Sequence, residues 1–460
     1  MKDPIPALEE LWALRPPQQP VYDQPQERDQ VVAQLRRLPQ LVFAGECDDL
    51  RGRLAEAAAG RAFILQGGDC AETFEAVTAG SIQRRLRVLL SMAVALTYAA
   101  EVPVVKIGRI AGQFAKPRSK ATERRGGVEL PVYRGDAVNG FDFSPAARRP
   151  DPQRLLQAYY ASAATLNLVR AFVKGGFADL QAMHSWNADF VRQTHVSARY
   201  EQLTGEIDRA LAFMRTIGVD GGDAFRTVDF YASHEALLLD YEHSLTRVDS
   251  RTGQPYSVGG HLLWIGERTR RVDGAHAELL RRLRNPVGVK IGPAARPDEI
   301  VALAERIDPG REPGRLTIIT RLGAGRVRQL LPPLVEAVEA TGREVCWVCD
   351  PMHGNTFETA GGYKTRSFAD VTAELDGFFD VHAALGTWPG GVHIELTGDD
   401  VTECVGGAAD ICEADLVNRY ETVCDPRLNR RQSLELAFMV ADRLSHLDHP
   451  GRRRPPLADL

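Results

Sequence analysis

The chain has 460 residues, 44% of them hydrophobic and 25% charged, the balance of a soluble globular protein able to bury a large core. A net charge of −5 gives no general attraction to nucleic acid or anionic membrane, and no apolar run approaches the roughly 18 residues of a membrane span. Seven cysteines, an odd number lying mostly in apolar runs, argue against a disulfide scaffold and for a reducing compartment. The start, Met1-Lys2-Asp3-Pro4, lacks the order of a secretory signal, so a cytoplasmic protein is expected.

By length alone the chain fits three average domains or one α/β barrel with insertions. Residues 1–55 form a lead segment, with a Pro/Gln-rich stretch from Arg15 to Pro20 and a polar helix expected around 25–38. From residue 60 onward, short β-like apolar runs alternate with helical patterns, which predicts βα units and a parallel sheet. The runs are Ala62–Gln66, Val102–Ile107, Leu180–Met183, Val228–Ala232, Leu262–Gly266, Val287–Ile291, Leu316–Thr320, Val345–Val348 and Val392–Leu396. Asp151 and Pro152 start a helix whose one face carries Leu155, Leu156, Tyr159, Leu166 and Val169, and Gly175-Gly176 stop it.

Nine runs are one too many for an eight-stranded barrel. Leu180–Met183 is the predicted outsider, because a helical pattern (Leu203, Ile207, Leu211, Met214) falls in the same long interval. Residues 141–225 therefore read as an enlarged connection carrying extra helices. The Arg-rich, Pro-rich end of the chain, 448–460, reads as a flexible tail.

In a parallel barrel, function sits at the carboxyl ends of the strands. Two chemical sets stand there. Cys70, His353, Glu395 and Asp425 offer sulfur, nitrogen and oxygen donors suited to a divalent transition metal. Singly, each has a plainer reading: core packing for Cys70, a turn for His353, an ion pair for Glu395, a cap before Pro426 for Asp425. The second set is cationic: Arg109, Lys116, Arg118, Arg268, Lys290 and Arg321. Guanidinium forks and compact ammonium groups suit carboxylate and phosphate, and Lys290 and Arg321 lie in or beside apolar runs, where an unpaired charge is costly. A metal beside a polyanion pocket favours an enzyme acting on phosphorylated metabolites.

The strings at these strand ends resemble those of the type II (plant-like) 3-deoxy-D-arabino-heptulosonate 7-phosphate (DAHP) synthases. They are Leu65–Phe74 (LQGGDCAETF), Arg109–Ser119 (RIAGQFAKPRS), Tyr133–Asp136 (YRGD), Trp264–Arg270 (WIGERTR), Asp350–Thr356 (DPMHGNT) and Cys424–Asn429 (CDPRLN). The resemblance runs in order from about Leu11 to Leu447.

It implies a (β/α)8 TIM barrel over 56–447, with an N-terminal extension at 1–55 and extra helices between the second and third barrel strands. It implies the condensation of phosphoenolpyruvate with erythrose 4-phosphate, the first step of the shikimate pathway. The family's metal positions fall on Cys70, His353, Glu395 and Asp425, with Mn²⁺ or Co²⁺ as the expected ion. Its phosphoenolpyruvate positions fall on Arg109, Glu267, Arg268, Lys290 and Arg321, and its erythrose 4-phosphate positions on Lys116, Pro117, Arg118, Ser119 and Glu235. Lys116, bridging the two substrates, is expected to protonate or neutralise the developing alkoxide, and Glu267 to place the water. A homodimer or homotetramer is implied.

A relative serving secondary metabolism, with the same or a modified aldose phosphate, is the alternative reading. Four further expectations concern single residues. Cys70 and Cys424 lie close enough to bridge in oxidised, metal-free protein. Cys346 and Cys349, three apart on a strand, face opposite ways. His184, His234 and His393 serve structure. Of the seven lysines among 56 basic residues, Lys116 and Lys290 are the ones at active-site positions.

Overall fold

The computed structural model describes residues 5–100, 102–175 and 228–447, together with the isolated helical positions 205, 209, 213 and 216. Eight parallel strands close into a barrel: β1 (Phe63–Gly68), β2 (Val104–Arg109), β5 (Tyr231–Glu235), β8 (Leu262–Ile265), β9 (Val287–Ile291), β10 (Leu316–Thr320), β11 (Cys346–Cys349) and β14 (Gly391–Glu395). Each pairs with its neighbours in chain order, and β14 closes on β1 through Gly68 opposite Glu395. Three two-stranded hairpins decorate it: β3–β4 (Thr122–Arg125, Val128–Pro131), β6–β7 (Thr246–Val248, Pro255–Ser257) and β12–β13 (Thr356–Glu358, Lys364–Arg366).

Among the described residues, the lead segment carries α1 (Leu8–Ala13), α2 (Pro25–Leu35) and α3 (Ala44–Ala58). Around the barrel run α4 (Ala79–Ala100), α5 (Gln153–Lys174), α6 (Ala275–Arg282), α7 (Pro297–Ile307), α8 (Val327–Glu339), α9 (Phe368–Leu385) and α10 (Arg430–Ser445). The predicted start of α5 is present: Asp151 Oδ1 accepts from Gln153 N at 2.9 Å, and Gly175 ends the helix. No helix among the described residues is long and apolar enough to cross a membrane.

Strand alternation explains how one chain makes both a core and a site. Outward residues such as Leu65, Leu263, Val289, Ile318, Trp347 and Val392 join the apolar layer under the helices. Inward residues are apolar at the bottom, where Ile64, Val105, Ile107, Leu262, Ile319, Cys346 and Val348 pack against Leu50, Leu54 and Ala57 of α3. Helix α3 therefore plugs the amino-terminal mouth. Further up the same alternation, Gln66, Arg109, Ser233, Lys290, Asp350, His393 and Glu395 are buried polar groups, and they gather at the other mouth.

Eight of the nine predicted runs are barrel strands. The third barrel strand is displaced from its predicted run: β5 begins at Tyr231, three residues after Val228. Barrel pairing carries it through Ser233, His234 and Glu235 opposite Leu262, Leu263 and Trp264, a polar stretch beyond the end of the apolar run at Ala232. The interval after β2 holds α5, as the expected extra helix content requires. The run Leu180–Met183, most of the pattern Leu203–Met214, His184 and the tail 448–460 lie outside the described residues.

Candidate active site

A cavity of about 490 Å³ opens at the carboxyl ends of the strands. Lys116, Pro117, Arg118, Ser119, Glu235, Glu267, Arg268, Lys290, Arg321, His353 and Asp425 line it. Cys70, Arg109 and Glu395 are buried at its base. The residues of the donor set and of the cationic set thus meet at one mouth.

Glu395 ends β14 and is the hub. Its Oε1 lies 3.1 Å from Arg109 Nη2, 3.3 Å from Lys116 Nζ and 3.1 Å from His353 Nε2. Its Oε2 is buried, 2.8 Å from Arg366 Nη1, and makes no hydrogen bond. One donor atom each from Cys70, Glu395 and Asp425 lie within 4.8 Å of one another, close enough to share one ion. His353 adjoins them through Glu395. A thiol, an imidazole and two carboxylates, with a buried carboxylate oxygen lacking a hydrogen bond, make a donor set that fits a borderline-soft divalent metal.

Lys116 points its Nζ into this set, contacting Cys70 Sγ and lying 2.5 Å from Asp425 Oδ2. Burial opposes its charge, but Asp425, Cys70 and Glu395 outweigh burial and hold the ammonium well above the usual lysine range. Burial also raises Asp425, yet Lys116 and Arg366 hold its carboxyl well below the ordinary range. Cys70 is pushed up by burial and by its hydrogen bond with Cys424; both thiols are free.

Close packing at the end of β1 demands glycine. Gly68 has φ of +147°, and a Cβ there would stand 2.5 Å from the carbonyl oxygen of Arg109. That approach lets the Arg109 guanidinium reach back to the carbonyls of Asp69 (3.0 Å) and Cys70 (3.2 Å). The Trp264 ring lies beneath both Arg109, at 5.2 Å, and Lys290, at 5.7 Å. Burial, with Arg109 nearby, pushes Lys290 down to about 8, although Asp350 at 2.7 Å opposes the shift. Arg321 donates to the carbonyl of His353 at 3.0 Å, and its Nε is buried without a partner.

Glu267 is held by both arms of Arg270 (2.9 and 2.8 Å) and by the amide of Gly292 at 2.6 Å. Arg268 and Ser119 touch at the rim, and both are exposed. Glu235 turns inward with Oε1 buried and unbonded; burial raises its carboxyl, with Lys290 and Lys116 opposing.

Several residues here carried no signal in the sequence. Lys120 and Lys364 add positive charge to the outer wall beside Arg118. Arg366, on the inner edge of a small hairpin, is fully buried and contacts the carbonyl of Pro426, next to Asp425. Nothing about a Lys-Thr-Arg string marks it. His393, expected to serve structure alone, lies against the site: it contacts Arg109 through Nε2, and its Nδ1 lies 2.7 Å from Gln66 Oε1. His234 pairs with Glu242 at 3.0 Å, away from the cavity. Cys346 faces the barrel interior and Cys349 the helical layer, as alternation predicts.

The chain matches the Class-II DAHP synthetase family over residues 8–441. It is 62% identical over 425 residues to a phospho-2-dehydro-3-deoxyheptonate aldolase of Streptomyces coelicolor, covering 92% of this chain and 94% of that protein. It is 52% identical over 432 residues to the phospho-2-dehydro-3-deoxyheptonate aldolase AroG of Mycolicibacterium smegmatis, covering 93% and 92%. With both extent and identity so high, the chain belongs to the class-II DAHP synthetase family.

Proposed function

We propose a division of labour for the family's reaction at this barrel mouth. The chain condenses phosphoenolpyruvate, erythrose 4-phosphate and water to DAHP and inorganic phosphate. The observation that carries the assignment is the junction of the two sets: Cys70, Glu395 and Asp425 converge at one edge of a cavity that Arg118, Arg268, Lys290 and Arg321 also line.

Cys70, His353, Glu395 and Asp425 would hold a divalent metal, Mn²⁺ or Co²⁺, which when bound polarises the aldehyde oxygen of erythrose 4-phosphate. Arg109, Lys290 and Arg321 bind the carboxylate and phosphate of phosphoenolpyruvate, with Arg268 reaching in from the rim. Held this way, the anion has lost its freedom before carbon 3 meets the aldehyde. Arg118, Ser119 and Pro117 shape the outer wall and favour the second phosphate. Lys116, kept protonated by its neighbours, is placed to give its proton to the developing alkoxide. Glu267, immobilised by Arg270, orients the water that adds at carbon 2, and Glu235 faces the polyol chain. Phosphate then leaves from the tetrahedral centre.

The general synthase is favoured over the secondary-metabolic alternative, because both relatives carry the name of the same activity. We read residues 1–55 as an extension to a catalytic unit spanning 56–447 with its insertion at about 141–225, working in the cytoplasm as a homodimer or homotetramer. Titrating Mn²⁺ into Cys70→Ser, His353→Asn, Glu395→Gln and Asp425→Asn tests the donor set. Each substitution should weaken binding at least roughly tenfold; a variant with unchanged affinity removes that residue from the set.

A further inference from the structure

We propose that Asp350 is a positioning residue that couples the metal donor set to the phosphoenolpyruvate pocket. The inference rests on the assignment of those two sites above. Asp350 follows β11 and is fully buried on the inward side. Its Oδ1 accepts the amides of Met352 (3.0 Å) and His353 (3.2 Å), fixing the turn that carries the imidazole. Its Oδ2 serves two masters: His353 Nδ1 at 2.7 Å and Lys290 Nζ at 2.7 Å.

One oxygen therefore joins a donor of one site to a cation of the other. With Oδ2 accepting from Nδ1–H, Nε2, the nitrogen facing Glu395, is the one left to offer its lone pair when a cation lies between them. When a substrate anion engages the Lys290 ammonium, less of it is directed at Asp350, and more of the carboxylate charge supports His353. Conversely, a cation on Nε2 makes the Nδ1 proton more acidic and strengthens its bond to Oδ2, freeing Lys290 for the anion. Both directions predict that metal and phosphoenolpyruvate tighten each other, as thermodynamic reciprocity requires. Direct attraction between the two ligands adds to this, but it does not pass through Asp350.

The test separates the two contributions. Free Mn²⁺ is titrated by electron paramagnetic resonance against the unmodified chain and Asp350→Asn, each with and without saturating phosphoenolpyruvate. Asparagine keeps the shape but cannot accept from both donors on one side. The unmodified chain should bind Mn²⁺ at least about fivefold more tightly with phosphoenolpyruvate present. Asp350→Asn should weaken Mn²⁺ roughly 10- to 100-fold and also shrink that ratio by threefold or more. A weakened metal with an unchanged ratio would make Asp350 merely structural and overturn the proposal. Failure of the unmodified chain to bind Mn²⁺ would instead overturn the donor-set assignment, and the coupling with it. Should Asp350→Asn not fold, nitrogen-15 resonances of the metal-free, unmodified chain decide, with His353 assigned by its loss in His353→Asn. Phosphoenolpyruvate should shift the Nδ1 resonance, and its constancy would refute the link.

Discussion

Arg366 Nη1 lies 2.8 Å from Glu395 Oε2, and neither side chain has access to solvent. Arg366 stands at the oxygen that makes no hydrogen bond, while Arg109 and Lys116 stand at the other. Removing one partner of a buried ion pair leaves the other uncompensated in a medium of low dielectric, at a cost of about 3–5 kcal/mol. Arg109 and Lys116 still face the other oxygen of Glu395, so Arg366→Met should be destabilised in EDTA by less than that amount. A divalent ion on Glu395 replaces the missing positive charge, so saturating Mn²⁺ should recover much of the loss. Urea unfolding with and without Mn²⁺ measures both, and an equal loss in the two conditions would count against the arrangement.

Lys290 gives a pH dependence with a definite sign. Its ammonium titrates at about 8 in the free protein, chiefly because of burial. Below that value it is a cation that can bind the substrate anion, and above it the cation is lost. The value of kcat/KM for phosphoenolpyruvate reports the free enzyme, so it should fall above pH about 8. Lys290→Arg, whose guanidinium does not titrate there, should lack this alkaline limb, although its fork misfits the Asp350 contact and lowers activity.

Lys116 separates chemistry from metal retention. Its Nζ sits amid Cys70, Glu395 and Asp425 without being a donor to a cation. Lys116→Met should lower kcat by roughly 10²–10⁴-fold, the range for a positioned proton donor, while Mn²⁺ affinity stays the same or rises. Near-normal turnover with full metal content would exclude Lys116 as the acid.

The structural histidines set the acid limit of the fold. Burial holds His382 down to about 3 and His276 down to about 4, against an ordinary value of 6.5. Both stay neutral when folded, whereas the unfolded chain takes up their protons as pH falls below 6.5. Their contribution is thus intact above pH 6.5 and is lost on acidification through the folded values. Each adds at most about 1.4 kcal/mol of lost stability per pH unit. His382→Gln should unfold with a shallower pH dependence between 6.5 and 4 than the parent chain, as read from urea midpoints.

What could be read from the sequence follows from what each residue type reveals alone. Alternating apolar runs disclose barrel strands because their outward faces must be apolar, and eight of nine proved to be strands. The third strand was shifted because Ser233 and Glu235 are polar and inward, which an apolar-run criterion cannot follow. Cys70, Lys116, Lys290, Arg321 and His353 were legible as unusual polar groups at strand ends. Arg366, Asp350 and Trp264 were not legible as site residues. Their importance lies in what they touch: Trp264 lies under Arg109, Asp350 holds Lys290 and Arg366 faces Glu395, and no local pattern in the chain marks these pairs. The nearness of Cys70 and Cys424 was anticipated from the adjacency of Cys424 to Asp425. The structure shows two free thiols buried in one small cluster with Ala71 and Tyr133, and oxidation of metal-free protein followed by mass spectrometry of both thiols tests whether they bridge.

The central claim is that the sulfur, imidazole and carboxylate groups at this mouth serve a metal-assisted condensation of two phosphorylated substrates. Its most direct test follows phosphoenolpyruvate consumption by EDTA-treated protein, with erythrose 4-phosphate and Mn²⁺ each added or withheld. Consumption should require both, stop again on excess EDTA, and release one inorganic phosphate per phosphoenolpyruvate lost. Full turnover in EDTA, or phosphoenolpyruvate loss without erythrose 4-phosphate, would contradict it.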